Sequence, residues 1–150
     1  MIKDLINTLY IKEYIKGDKL LIFCSTIKLC NKLKDYLKNV FTGYDIRTYI
    51  ESDPYVNILE SDIIVSTLKS SGTALDIPNL RVCIKTVNVD SPITNLQALG
   101  RLRELKDRDV KYCYIYCSNI PKHVKYHHRR KELYKDKVLY ISDMQYPQPI

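Results

Sequence analysis

The chain has 150 residues, 45% of them hydrophobic, and a formal net charge of +7. That length suits one domain around a single buried core, and no apolar run is long enough to span a bilayer, so a membrane role is excluded. The charge excess points to a polyanionic partner rather than an acid-rich or neutral surface.

The excess is unevenly spread. Between Ile120 and Lys137 stand seven Lys and Arg (Lys122, Lys125, Arg129, Arg130, Lys131, Lys135, Lys137) against Glu132 and Asp136. The cysteines (Cys24, Cys30, Cys83, Cys113, Cys117) are odd in number and sit mostly in apolar contexts, so they read as reduced thiols of an intracellular protein. Cys113 and Cys117 share a face of a predicted strand, yet no further cysteine or paired histidine completes a zinc site, and no metal site is expected. Met1-Ile2-Lys3-Asp4 opens an amphipathic pattern, not a secretory signal. Thirteen tyrosines without tryptophan, beside many Ile, Lys and Asn, fit an AT-rich phage or other viral genome.

In chain order, Ile2, Leu5, Ile6 and Leu9 predict a helix within Met1–Lys16, ended by Gly17-Asp18. Lys19–Cys24 is a continuous apolar run, as in a strand buried on both faces. Ser25-Thr26 turns the chain and caps a helix whose apolar stripe is Leu29, Leu33, Tyr36, Leu37 and Val40, closed by Gly43. Tyr44–Ile50 alternates as a second strand, Asp53-Pro54 marks a turn, and Pro54–Ser61 is a short connector. The strand Asp62–Ser66, the loop Thr67–Asn79 and the strand Arg81–Val87 follow. Ser91-Pro92 then opens a helix, a capping oxygen before a residue whose missing N–H costs nothing there. That helix carries Gln97, Gly100, Arg101 and Arg103. Val110–Cys117 is a strand, Pro121 starts a basic helix running to about Tyr134, and Val138–Ser142 is a last strand before the tail.

Strands alternating with helices predict an α/β fold with a mostly parallel sheet flanked by helices. In such sheets ligands bind beyond the carboxyl ends of the strands. Ser25-Thr26, Ser66-Thr67 and the loop entering the Gln97 helix all follow such ends and should share one rim. Gln97 and Arg101, four apart, would lie on one helix face that Gly100 leaves uncovered.

Three stretches in order carry a resemblance. Gln97-x-x-Gly100-Arg101 resembles the Q-x-x-G-R-x-x-R motif of superfamily 2 helicases and translocases. Ser66-Thr67…Gly72…Asp76-Ile77-Pro78 resembles the preceding motif of that family, and Leu20–Thr26 the strand and turn that open its second RecA-like domain. The resemblance covers most of the chain and implies a RecA-like three-layer fold.

It also implies roles. Arg101 and Arg103 would be catalytic, as fingers stabilising the γ-phosphate of ATP; Gln97, Gly100, Gly72 and Asp76 would lie at the nucleotide, Asp76 bracing the arginines or the sugar. Two departures stand out. The family's second arginine falls where this chain has Glu104, and Ala74 holds the place of the glycine that Gly72 supplies two residues earlier. Ser25, Thr26, Ser66, Thr67 and Lys69 would contact the backbone of DNA or RNA through hydroxyls, loop N–H groups and charge, with Lys125, Arg129 and Arg130 extending the track.

None of the four glycines lies in a G-x-x-x-x-G-K-[ST] loop, and no acidic box is present. The chain is therefore not a complete ATPase. ATP and Mg²⁺ would be held mainly by an N-terminal RecA-like domain, on a longer parent chain or a separate subunit. The alternative from another class is a stand-alone nucleic-acid-binding or regulatory module that kept the fold without catalysis.

Overall fold

The computed structural model describes residues 1–51, 53–68, 76–106, 108–139 and 141–145. Among them five strands form one sheet, β1 (Lys19–Cys24), β2 (Ile46–Tyr49), β3 (Ile63–Thr67), β4 (Leu80–Lys85) and β5 (Lys111–Tyr114), in the order β2-β3-β1-β4-β5. Every pairing is parallel. The helices are α1 (Ile2–Leu9), α2 (Ile27–Val40), α3 (Val56–Glu60), α4 (Pro92–Leu99) and α5 (Pro121–Tyr134), with a 3₁₀ turn at Ile11–Glu13.

The period of two along each strand sorts the core into two faces. Leu20, Ile22, Ile63, Val65, Val82 and Ile84 pack against Ile6 of α1 and Cys30 and Leu37 of α2. Leu21, Phe23, Ile64 and Cys83 meet Ile58 of α3, Ala98 of α4 and Ile77. The chain of α5 joins this second face through Tyr134, whose ring meets Tyr112 of β5 edge-on at 5.7 Å. Coverage on both sides is why β1, β3 and β4 read as unbroken apolar runs. Each large side chain so buried contributes about 1.5–3 kcal/mol.

Several boundaries differ from the periodicity reading. The first helix stops at Leu9, and the chain reaches β1 through the 3₁₀ turn and Gly17, whose φ of +102° is open to glycine alone at little cost. On α2 Cys30 and Leu37 are buried, Leu33 and Val40 partly so, and the C-cap Phe41 continues the stripe; Leu29 and Tyr36 are exposed, one position off the sheet-facing side. The connector after Pro54 holds a genuine turn of helix, α3. Residues 138, 139, 141 and 142 form no strand: Leu139 is exposed, and Asp143 turns back onto α5 to pair with Lys131 at 2.7 Å.

The amino end of the sheet is tied by one polar knot. Asp18, just before β1, accepts from Arg81 Nε at 2.9 Å, from the Ile15 N–H at 3.1 Å and from Arg108. Arg81 is 1% exposed and directs its other donors to the carbonyls of Leu9 at 3.0 Å and Tyr10 at 2.6 Å. Lys19 at the start of β1 is buried too, its Nζ capping α3 through the carbonyls of Leu59 and Ser61, the helix end that favours a cation.

Candidate functional site

The opposite, carboxyl rim gathers the loops expected there. Cys24 at the end of β1 pairs with Thr67 at the end of β3, so the Ser25-Thr26 turn lies beside the Thr67-Leu68 turn. On the other flank Phe23 pairs with Lys85, which brings the β4–α4 loop to the same rim. The strand order reverses at β1, between β3 and β4, and this is where a parallel sheet opens a crevice.

Each candidate has a definite place. Ser25 and Thr26 are exposed. The Thr26 hydroxyl accepts from the Leu29 N–H at 3.2 Å and caps α2; Thr26→Ala is expected to cost about 1 kcal/mol in denaturant unfolding. Ser66 is a correction. It is fully buried, not open at the rim, and donates to the Tyr49 carbonyl at 2.6 Å, so its hydroxyl closes the β2–β3 edge. Thr67 is buried at the strand end. Lys69 and Gly72 lie outside the described residues.

The α4 region also departs from the helical-phase reading. The helix ends at Leu99 with Gly100 as its C-cap, so Arg101 and Arg103 follow it in non-helical backbone. A Cβ at Gly100 would stand 3.1 Å from the Leu96 carbonyl, a tight contact that a few tenths of an ångström of movement would relieve. Arg101 is only 9% exposed, not uncovered as expected, and burial pushes its guanidinium pKa down. Arg103 is the outward one: its side chain is 76% exposed and its Nε lies 3.5 Å from Asp76 Oδ1. The Asp76 carbonyl accepts from the Tyr55 hydroxyl at 2.6 Å, and Ile77 is buried beneath it. Gln97 is exposed on α4.

The basic helix contributes less charge than its composition promised. Arg130 is a second correction: it is 1% exposed, packs its guanidinium 4.3 Å over the Tyr114 ring and donates to Asn88 Oδ1 at 2.7 Å. Arg129 pairs with Asp90, Lys131 with Asp143, and Lys135 with Glu132. Among the described residues Lys122 and Lys125 make no ion pair, and both are exposed. A helix packed on the sheet edge must bury one side, and here that side includes an arginine.

Periodicity missed what lies beneath α5. Lys85, the last residue of β4, is fully buried and donates to Asn95 Oδ1 of α4, while the Tyr134 hydroxyl donates to the Asn95 carbonyl at 2.8 Å. His127 is buried between Tyr114 (2.9 Å), a stacked Tyr116 ring (4.1 Å) and Asp143 (3.3 Å); burial lowers its pKa, which the Asp143 carboxylate opposes. A lysine inside an apolar strand run and an asparagine on the inner side of α4 were the available signals.

Among the described residues no group of three or more His, Cys, Asp or Glu could hold a metal ion. No described helix is long and apolar enough to cross a membrane.

No protein-family model and no curated protein sequence matches the chain. Solved structures do. The C-terminal part of the Fun30 ATPase domain superposes with a TM-score of 0.67 at 18% identity, over 87% of this chain and 44% of that one. The Pyrococcus furiosus Hef helicase domain gives 0.60 at 17% identity, over 86% of this chain and 27% of that one. The chain thus has the RecA-like α/β fold found in these helicase and ATPase domains, and it spans less than half the length of either match.

Proposed function

We propose that the chain is the second RecA-like domain of an ATP-dependent superfamily 2 helicase or translocase. A first domain, in a longer chain or a separate subunit, would hold ATP and Mg²⁺. The observation that carries this reading is the rim: the turn after β1, the turn after β3 and the loop that enters α4 lie together at the carboxyl ends of one parallel sheet, and the arginines follow the other end of α4, where Arg103 stands beside Asp76. The two helicase and ATPase structures of like fold support it. Arg103, exposed and steered by Asp76, is the finger that reaches the γ-phosphate when the domains close; Arg101, set into the turn, fixes the approach. Gln97, Gly100 and Asp76 line the nucleotide side. Ser25, Thr26, Thr67 and the exposed Lys125 meet the backbone of a DNA or RNA strand, and closing and opening steps the protein along it.

The purified 150-residue chain is expected to turn over no ATP above background and to bind single strands weakly, without sequence preference. Lys125→Ala with Arg129→Ala should flatten the dependence of log affinity on log salt by about 0.7 for each phosphate no longer neutralised. Strand-stimulated ATP turnover by the chain alone would overturn the two-domain reading. Salt-independent binding confined to one sequence would replace it with a dedicated recognition module.

A further inference from the structure

We propose that Lys85 is a proton-operated latch: it is held as the neutral amine in the folded protein, and its protonation loosens α5 from α4 and the sheet. The inference concerns the domain itself and holds whatever the rim binds.

Lys85 has no solvent exposure, and its hydrogen-bond acceptor is a neutral amide, Asn95 Oδ1. In register it stands between Phe23 of β1 and Tyr114 of β5. The ionisable groups facing it are Cys83 on its own strand, Tyr112 and Tyr114 on β5, and Arg130 and Tyr134 on α5. The inner side of α4 presents Asn95, and no carboxylate is among the groups that act on Lys85. The facing thiol and phenols supply no negative charge at neutral pH, because burial raises the pKa values of Cys83, Tyr112, Tyr114 and Tyr134.

Among the described groups that act on Lys85 the charged one is Arg130, and it is positive. Its Nε and Nη1 are already buried without a hydrogen-bond partner. A second buried cation beside it would go uncompensated, so the amine gives up its proton. Burial first, then Arg130, push the Lys85 pKa down to about 7. Below that, a charge forms between β4, α4 and α5, at the Asn95 side chain that also ties α4 to the Val89 carbonyl.

The pH dependence has a definite sign. The folded pKa lies below the ordinary 10.5, so between the two the unfolded chain binds more protons and stability rises with pH. It falls as pH drops toward 7, and the Lys85 contribution changes no further below that. His127 on α5 is pushed below 6.5 by burial and acts in a lower window.

The test is urea unfolding of the full chain from pH 6.5 to 9.5 at fixed ionic strength, with ¹³C NMR of the lysine Cε resonances. Relative to Lys85→Met, the unfolding free energy of the wild type should climb from pH 7.5 to 9, approaching tenfold in equilibrium constant, or about 1.4 kcal/mol, per pH unit. One lysine resonance should titrate near 7 and vanish in Lys85→Met. That variant should lack this rise, keeping only the part of the profile set by the buried thiols, and should be more stable than wild type at pH 7. Lys85→Arg, charge-conserving, should be the least stable of the three. Amide exchange across α5, corrected for intrinsic rates, should be faster at pH 6.5 than at 8.5 in the wild type alone. If all lysine resonances titrate above 9, or the two stability profiles run parallel, or α5 exchange ignores pH, the latch is refuted. Should Lys85→Met fail to fold, the wild-type resonance and exchange still decide.

Discussion

Arg103→Ala is expected to lower ATP turnover of the assembled two-domain protein by about three orders of magnitude, the lower range for losing an arginine finger. The stability of this domain should stay within about 0.5 kcal/mol, as for exposed positions generally. The side chain is largely solvated and its contact with Asp76 is an exposed ion pair, of a kind that contributes little to folding. Arg101→Ala should behave differently. That residue is buried in the exit of α4, so its removal lowers thermal stability together with turnover. Asp76→Asn separates steering from charge delivery: it should reduce turnover by less than Arg103→Ala, because the finger remains. A variant set in which Arg101→Ala abolishes turnover at unchanged stability while Arg103→Ala is tolerated would reverse the two roles. No effect from either would remove this segment from the nucleotide and favour the non-catalytic module.

Asp18→Ala should destabilise the domain by about 3–5 kcal/mol, the cost of leaving a buried charge without its partner. The guanidinium of Arg81 is 1% exposed, and Asp18 is its close carboxylate at 2.9 Å; Glu13 stands at 3.7 Å from a solvent-exposed position. Asp18 also holds Arg108 and the Ile15 N–H, so the loss loosens α1 and the segment before β5 together. Against a typical total of about 5–15 kcal/mol, the variant would be marginal at 25 °C. The measurement is the urea midpoint at unchanged slope. Removing both partners, Asp18→Ala with Arg81→Met, should recover part of the loss, since an apolar replacement needs no counter-charge. A single-variant change below about 1 kcal/mol would mean that water reaches Arg81 on local opening and that the knot is not a buried pair.

Much of the architecture was legible because it rests on local patterns. Leu20–Cys24, Ile63–Val65 and Val82–Ile84 are apolar without alternation, which only two-sided burial explains, and Ser91-Pro92 fixes the start of α4. Alternation of strands and helices then made the sheet parallel and placed the Thr26 and Thr67 turns and the α4 loop on one rim. The rim site was legible to that extent and no further. Helical phase put Arg101 and Gln97 on a common face, but the helix stops at Gly100, and phase has no meaning beyond a C-cap.

What only the tertiary structure decided is which charged and polar groups go inside. Ser66, Arg81, Lys85, Arg101 and Arg130 all look like surface or ligand-binding residues when read singly, and all are buried. Their fate is set by partners far along the chain: Tyr49 for Ser66, Asp18 for Arg81, Asn88 and Tyr114 for Arg130. The sequence by itself determined the order of elements and which loops share the carboxyl rim of the sheet, because periodicity and capping act within a few residues. Burial of a charge depends on what strands and helices bring against it from dozens of residues away, and no local pattern records that.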